Sequence, residues 1–134
     1  MNNQLSPELY RVIDANINRL KEGIRVVEDI MRYKDNNKEL SHKLKNLRHM
    51  ATIQESIELL KNRDSINDVL RQTIKSEMNR SSLNDIIIAN FKRAQESARV
   101  LEEIYKLHSS QYSENFKHIR YELYTLEKDI LLSN

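Results

Sequence analysis

The chain has 134 residues, 22 Lys and Arg against 20 Asp and Glu, a formal net charge of +2, and no cysteine. That length suits a single domain burying about two-thirds of its unfolded surface, and the lack of Cys removes disulfides, Cys-ligated zinc, thiol nucleophiles and iron–sulfur clusters. One Gly and one Pro leave no glycine-rich cradle of the P-loop or dinucleotide type, so a phosphate would have to be met by Arg, Lys, helix N-termini or metal ions.

The first residues, Met1 to Pro7, have neither a basic start nor an apolar core, so no secretory signal is expected. Ser6-Pro7 is a helix start, with Ser as N-cap and Pro at the first helical position, and helical periodicity runs on over 7–33. Asp35-Asn36-Asn37 breaks it. A second helix is predicted over 38–61, followed by a polar stretch, 62–81, of weak periodicity. There Ser65-x-x-Asp68 has the spacing to cap one short helix. Ser82-x-x-Asp85 opens a third long helix over 82–107, a turn follows, and a fourth helix is predicted over 113–132. The longest apolar run, Ile86-Ile87-Ile88-Ala89, falls far short of the ~20 residues of a membrane span. Acids and bases are interspersed, with no basic stripe of the kind that binds nucleic acid. The expectation is a soluble cytoplasmic protein with no membrane or nucleic-acid partner.

The two halves match. With an offset of 74, Ala15 to Ile30 overlays Ala89 to Ile104 with eight of sixteen positions identical, and both copies read Asn-x-x-Arg-x-x-Glu-x-x-Arg. With an offset of 72, Leu44-Lys45-Asn46-Leu47-Arg48 overlays Phe116-Lys117-His118-Ile119-Arg120. A duplicated helical hairpin predicts an all-α, four-long-helix bundle in one domain, 1–134, with repeats 7–61 and 82–132 and a short helix or loop segment between them.

At ~100° per residue, Ile13, Ile17, Leu20, Ile24, Val27 and Met31 form one apolar stripe, widened by Val12, Val26 and Ile30. Ile87, Phe91, Ala94, Ala98, Leu101 and Tyr105 repeat it, widened by Ile86, Val100 and Ile104. Asn16, Arg19 and Gly23 fall between the apolar rows of the first helix, and Asn90, Arg93 and Ser97 between those of the third. A buried guanidinium needs a partner or an anionic ligand. Glu22 and Glu96, three residues beyond Arg19 and Arg93, offer the first, with Arg25 and Arg99 three further on. Arg120, flanked by Phe116, Leu123 and Tyr124, and its counterpart Arg48 extend the pattern. Arg–Glu–Arg ladders at this spacing also serve as plain salt-bridge networks, and a buried Asn pair can simply fix register.

In the middle segment, Arg63-Asp64 and Asp68, followed by Glu77 and Arg80, place two carboxylates among arginines. Such a set suits Mg²⁺ and phosphates, or helix capping. His42, His49, His108 and His118 lack metal-ligand spacing, and Tyr105, Tyr112, Tyr121 and Tyr124 read as core and boundary packing.

The runs Asp14-Ala15-Asn16-x-Asn18-Arg19-x-x-Glu22-Gly23-x-Arg25-Val26-x-Glu28-Asp29, Leu47-Arg48-His49, Arg63-Asp64, Ala89-Asn90-Phe91-x-Arg93-x-Gln95-Glu96-x-x-Arg99-Val100-Leu101-Glu102-Glu103 and Arg120-Tyr121-x-x-Tyr124-x-Leu126-Glu127 carry a resemblance. Together they resemble a small helical family of thiamine biosynthesis, found alone or fused to the N-terminus of thiamine-phosphate synthase. The resemblance spans about Tyr10 to Leu126. It implies a hydroxymethylpyrimidine-phosphate kinase of the non-ribokinase type, which uses ATP to convert 4-amino-5-hydroxymethyl-2-methylpyrimidine phosphate to the diphosphate. In one departure, the family tends to follow Arg-Asp with Asp-Val-Gly, whereas here Asp68-Val69 precedes Leu70.

On that resemblance, Arg19, Arg93, Arg48 and Arg120 would converge on the phosphates, with Arg63 beside them and Arg93, Arg19 and Asp64 nearest the chemistry. Asn16 and Asn90 would orient the pyrimidine or a phosphate. Glu22 and Glu96, with Arg25 and Arg99, would hold the arginines, and Asp64 and Asp68 would bind Mg²⁺ or act on the acceptor oxygen. The other class of function is a non-catalytic helical module that docks on thiamine-phosphate synthase or another partner.

Overall fold

The computed structural model describes residues 5–54, 56–73 and 79–133. They form five α-helices, α1 (Pro7–Asp29), α2 (Lys38–Met50), α3 (Ser56–Asn62), α4 (Leu83–Tyr105) and α5 (Ser110–Leu132), and among the described residues there is no strand. No helix among them is long and apolar enough to cross a membrane. Glu77 lies outside the described residues.

Local chemistry sets most helix starts. The Ser6 hydroxyl accepts from Leu9 N at 3.3 Å with Pro7 in the first turn, and the Ser82 hydroxyl accepts from Asp85 N at 3.1 Å. The first helix ends as a π-helical turn, Ile30–Lys34. Asn36 then takes a positive φ of 51°, a region Asn tolerates better than most residues. Asn37 Oδ1 accepts from Leu40 N at 2.9 Å and starts α2. The last helix begins three residues earlier than its periodicity suggests, because Ser109 caps it through Tyr112 N at 3.2 Å.

The predicted helix over 38–61 is in fact two. α2 stops at Met50, Ala51 and Ile53 turn inward to full burial, and α3 resumes at Ser56. The break is held from α5: Asn115 Nδ2 donates to Met50 O at 3.0 Å, and the Tyr112 hydroxyl accepts from Gln54 N at 3.1 Å. With its last carbonyls capped there, and β-branched Thr52 and Ile53 next in line, the helix has little reason to continue. Nor does Ser65-x-x-Asp68 open a helix. Asp64 accepts from both Asn67 N and Asn67 Nδ2, and Asp68 from Leu70 N, so the segment is a pair of side-chain-closed turns.

The core runs along both long stripes. All six stripe residues of α1 and its π turn, and all six of α4, are buried, together with Leu44, Leu47, Leu59, Phe116, Ile119, Leu123, Leu126 and Ile130. α1 packs on α4, α4 on α5, and α2 and α3 on α1. α4 and α5 run antiparallel, as Glu102 meets Arg120 while Gln95 meets Glu127. Gly23 allows the closest approach of α1 to α4. A Cβ there would stand 2.9 Å from Asn90 O and 3.3 Å from Ala94 Cβ.

Candidate active site

A cleft of about 960 Å³ opens along α1. Its lining includes Asn16, Arg19 and Glu22 from α1, Arg63, Asp64 and Asp68 from the turns after α3, and Arg93 from α4. The duplication therefore delivers one arginine from each half to a common wall. Arg19 and Arg93 are exposed, and neither has an ion pair or side-chain hydrogen bond among the described residues. Glu22 and Glu96 do not hold them, contrary to the helical-spacing expectation. With both guanidinium groups in solvent there is no desolvation cost for a carboxylate to offset, and an exposed i,i+3 contact adds only about 0.5 kcal/mol.

The part-buried arginines are the other two. Arg48 Nε and Nη2 donate to Glu28 at 2.8 and 3.2 Å, and Arg120 Nε and Nη2 donate to Glu102 at 2.9 and 3.3 Å. The glutamates are 2% and 5% exposed, so each fork neutralises a carboxylate that would otherwise be stranded in the core. Those bonds push both guanidinium pKa values further up, in Arg120 with help from the Tyr124 hydroxyl. Arg48 and Arg120 are consequently committed to these forks and do not line the cleft. Arg25 pairs with Asp29 at 3.2 Å, and Arg99 with Glu102 and Glu103 at 3.5 and 3.1 Å.

The floor of the cleft rests on Asp14, a residue that helical spacing did not single out. Arg63 grips it with two bonds, Nε to Oδ2 at 2.7 Å and Nη2 to Oδ1 at 2.8 Å, and Asn18 Nδ2 donates to Oδ1 at 3.3 Å. This raises the Arg63 pKa through the hydrogen bond and charge of Asp14. Arg11 Nη2 adds a second tie, to Asp64 O at 2.9 Å. The signal was an acid beside Ile13 and Ile17 on the apolar face; Arg11, three residues before it, bonds Asp64 O instead and leaves the carboxylate to Arg63. For Glu28 and Glu102 it was identity: both acids recur at the 74-residue offset, as Arg48 and Arg120 do at 72.

The asparagines back-bond to their own helices, Asn16 Nδ2 to Val12 O at 2.9 Å and Asn90 Nδ2 to Ile86 O at 2.8 Å. For Asn16 that leaves Oδ1 as an acceptor beside the cleft, while Asn90 lies at the α1–α4 crossing and not in the lining. The cleft is of mixed sign, because Glu8, Asp14, Glu22, Asp64 and Asp68 face Arg11, Arg19, Arg63 and Arg93. Among the described residues no three His, Cys, Asp or Glu converge as a ready-made metal cage. Asp64 and Asp68 keep carboxylate lone pairs beyond those given to Asn67 and Leu70. One or two carboxylates are what Mg²⁺ takes when phosphates and water complete its shell.

Fold and cleft thus define an all-helical protein in which two sequence repeats share an arginine- and carboxylate-lined groove. The sequence profile of the ThiD2 family matches residues 11–129, and the chain belongs to that family. It is 38% identical over 125 residues to the thiamine-phosphate synthase of Prochlorococcus marinus (strain AS9601), covering 92% of this chain and 35% of that protein. Against those of Nostoc punctiforme and Synechocystis sp. it is 36% and 38% identical, covering 96% of this chain in both cases and 37% and 38% of the relatives. The chain spans little more than a third of the length of these curated relatives. No solved structure matches it significantly.

Proposed function

We propose that this protein is a kinase of thiamine biosynthesis, transferring the γ-phosphoryl group of ATP to 4-amino-5-hydroxymethyl-2-methylpyrimidine phosphate to give the diphosphate and ADP. The observation that carries this reading is the pairing of Arg19 and Arg93, two charges without acid partners among the described residues, on one cleft with the anchored turn of Asp64 and Asp68.

In the transfer, an acceptor phosphate oxygen attacks the γ-phosphorus. The new P–O bond forms as the bond to the bridging oxygen of ADP breaks, and the electron pair leaves with ADP. Negative charge is spread over donor and acceptor throughout, so positioning and fixed positive charge are the main contributions a protein can make. Arg19 and Arg93, reaching in from neighbouring helices, clamp the phosphates through planar forks. Asp64 and Asp68 would hold Mg²⁺, which when bound would supply positive charge against the phosphates. Asn16 Oδ1 accepts from the exocyclic amino group of the pyrimidine, a role that fits an amide whose nitrogen is already committed to Val12 O.

The test is direct: purified protein, ATP, Mg²⁺ and the pyrimidine monophosphate should yield ADP and the diphosphate. The length of the relatives favours a second reading, a helical module docking on thiamine-phosphate synthase. A docking module would keep its function when Arg19 and Arg93 are both replaced by Met. A kinase would not.

A further inference from the structure

We infer that the duplicated bundle carries one nucleotide-binding, phosphoryl-transfer site rather than two, and that Asp14 is the positioning residue that makes the first half the working half. The inference rests on the kinase reading for the chemistry at the site, but its geometry stands apart from it.

The residues that the halves share and those that they do not fall into separate groups. Asn16, Arg19 and Glu22 recur as Asn90, Arg93 and Glu96. The residues that hold the turn after α3 do not recur. Arg11, which binds Asp64 O, is matched by Asp85, and Asp14, which binds Arg63, is matched by Ile88. Asp85 cannot donate to a carbonyl, and it is already engaged by the Ser81 hydroxyl at the start of α4. Ile88 is 40% exposed and has nothing with which to grip a guanidinium. Of the lining residues of the cleft, Arg93 alone comes from the second half.

The Asp14–Arg63 fork is not needed for the fold in any obvious way. Asp14 is 8% exposed and Arg63 45%, so an apolar residue in place of Asp14 removes the buried charge and leaves a guanidinium that water can solvate. Ile88 is that apolar residue in the other repeat. What the fork does achieve is placement: it fixes Arg63, and through the next residues Asp64 and Asp68, against α1 and opposite Arg19 and Arg93.

The experiment compares the parent with Asp14→Ile, which copies the second half, and Arg63→Lys, which keeps the charge but loses the two-point grip. Equilibrium dialysis with Mg²⁺ and ATP should give one nucleotide per parent chain. Asp14→Ile should melt within a few degrees of the parent, exchange the amides of residues 64–68 at least ten times faster, and bind Mg²⁺–ATP at least ten times more weakly, with a raised KM. Arg63→Lys should fall between the two, and decides the matter if Asp14→Ile does not fold. Two equivalent nucleotides per chain, or parental exchange and affinity in these variants, would overturn the inference. One nucleotide per chain without turnover would count against the kinase reading alone, and turnover at two equivalent sites against the single-site inference alone.

Discussion

Arg93 and Arg120 are arginines of neighbouring helices with opposite environments. Arg120 is 11% exposed and locked on Glu102, whereas Arg93 is exposed on the cleft without an acid partner among the described residues. Replacing Arg93 by Met should therefore leave stability within about 0.5 kcal/mol in urea unfolding, while turnover falls by about 10²–10³. Lys at that position should recover only part of the rate. Glu28→Gln or Glu102→Gln should behave in the reverse way. Each strands a largely buried guanidinium and should cost about 3 kcal/mol, whereas the paired replacement Glu28→Met with Arg48→Met should come out near neutral. Asp64 supplies a pH test. The Asn67 side chain, then the Asn67 backbone N–H, hold its carboxyl below the ordinary carboxylate range. A depressed folded-state pKa means that the turn is fully formed above the unfolded carboxyl pKa and is lost as pH falls through the lower folded value. In Asn67→Ala, an NMR titration should find the Asp64 carboxyl moved up toward an ordinary aspartate. An unchanged midpoint would show that Asn67 does not hold it.

Among the helices, the α1–α4 crossing decides whether Arg19 and Arg93 share a wall, and Gly23 sets its closeness. A methyl at 2.9 Å from Asn90 O meets backbone, which cannot rotate away. Gly23→Ala gains about 1 kcal/mol of helix propensity but must push the helices apart, at about 1–3 kcal/mol. The expected result is net destabilisation of up to about 2 kcal/mol by urea unfolding and weaker Mg²⁺–ATP binding. A more stable Gly23→Ala protein would show that the crossing relaxes easily. Helix starts were legible in the sequence because a cap is chemistry within three residues, as at Ser6 and Ser82. The break after Met50 was not, because the groups that hold it, Tyr112 and Asn115, lie 58 and 65 residues further along the chain. The buried forks hid for the same reason. Arg48 and Arg120 find their acids 20 and 18 residues away on the adjacent helix, and neither has an acid three or four residues away on its own helix to mark it as paired.

Taken as a whole, the molecule shows how a chain with one glycine builds an arginine- and carboxylate-lined cleft. The duplication supplies two arginines at related positions, the core stripes of α1 and α4 bring their helices together, and the turn after α3 closes one side through Asp14. The repeat made Arg19 and Arg93 readable as a pair. Asp14 escaped notice because its partner comes from a segment with no periodicity of its own. Phosphoryl transfer at this cleft, as proposed, is tested by following a defined substrate. Purified protein is incubated with γ-labelled ATP, Mg²⁺ and 4-amino-5-hydroxymethyl-2-methylpyrimidine phosphate, beside Arg93→Met as control. Label should pass to the pyrimidine diphosphate with the parent protein and be reduced by about 10²–10³ with the variant. A folded parent protein that leaves the label on ATP, or an Arg93→Met protein as active as the parent, would contradict the account.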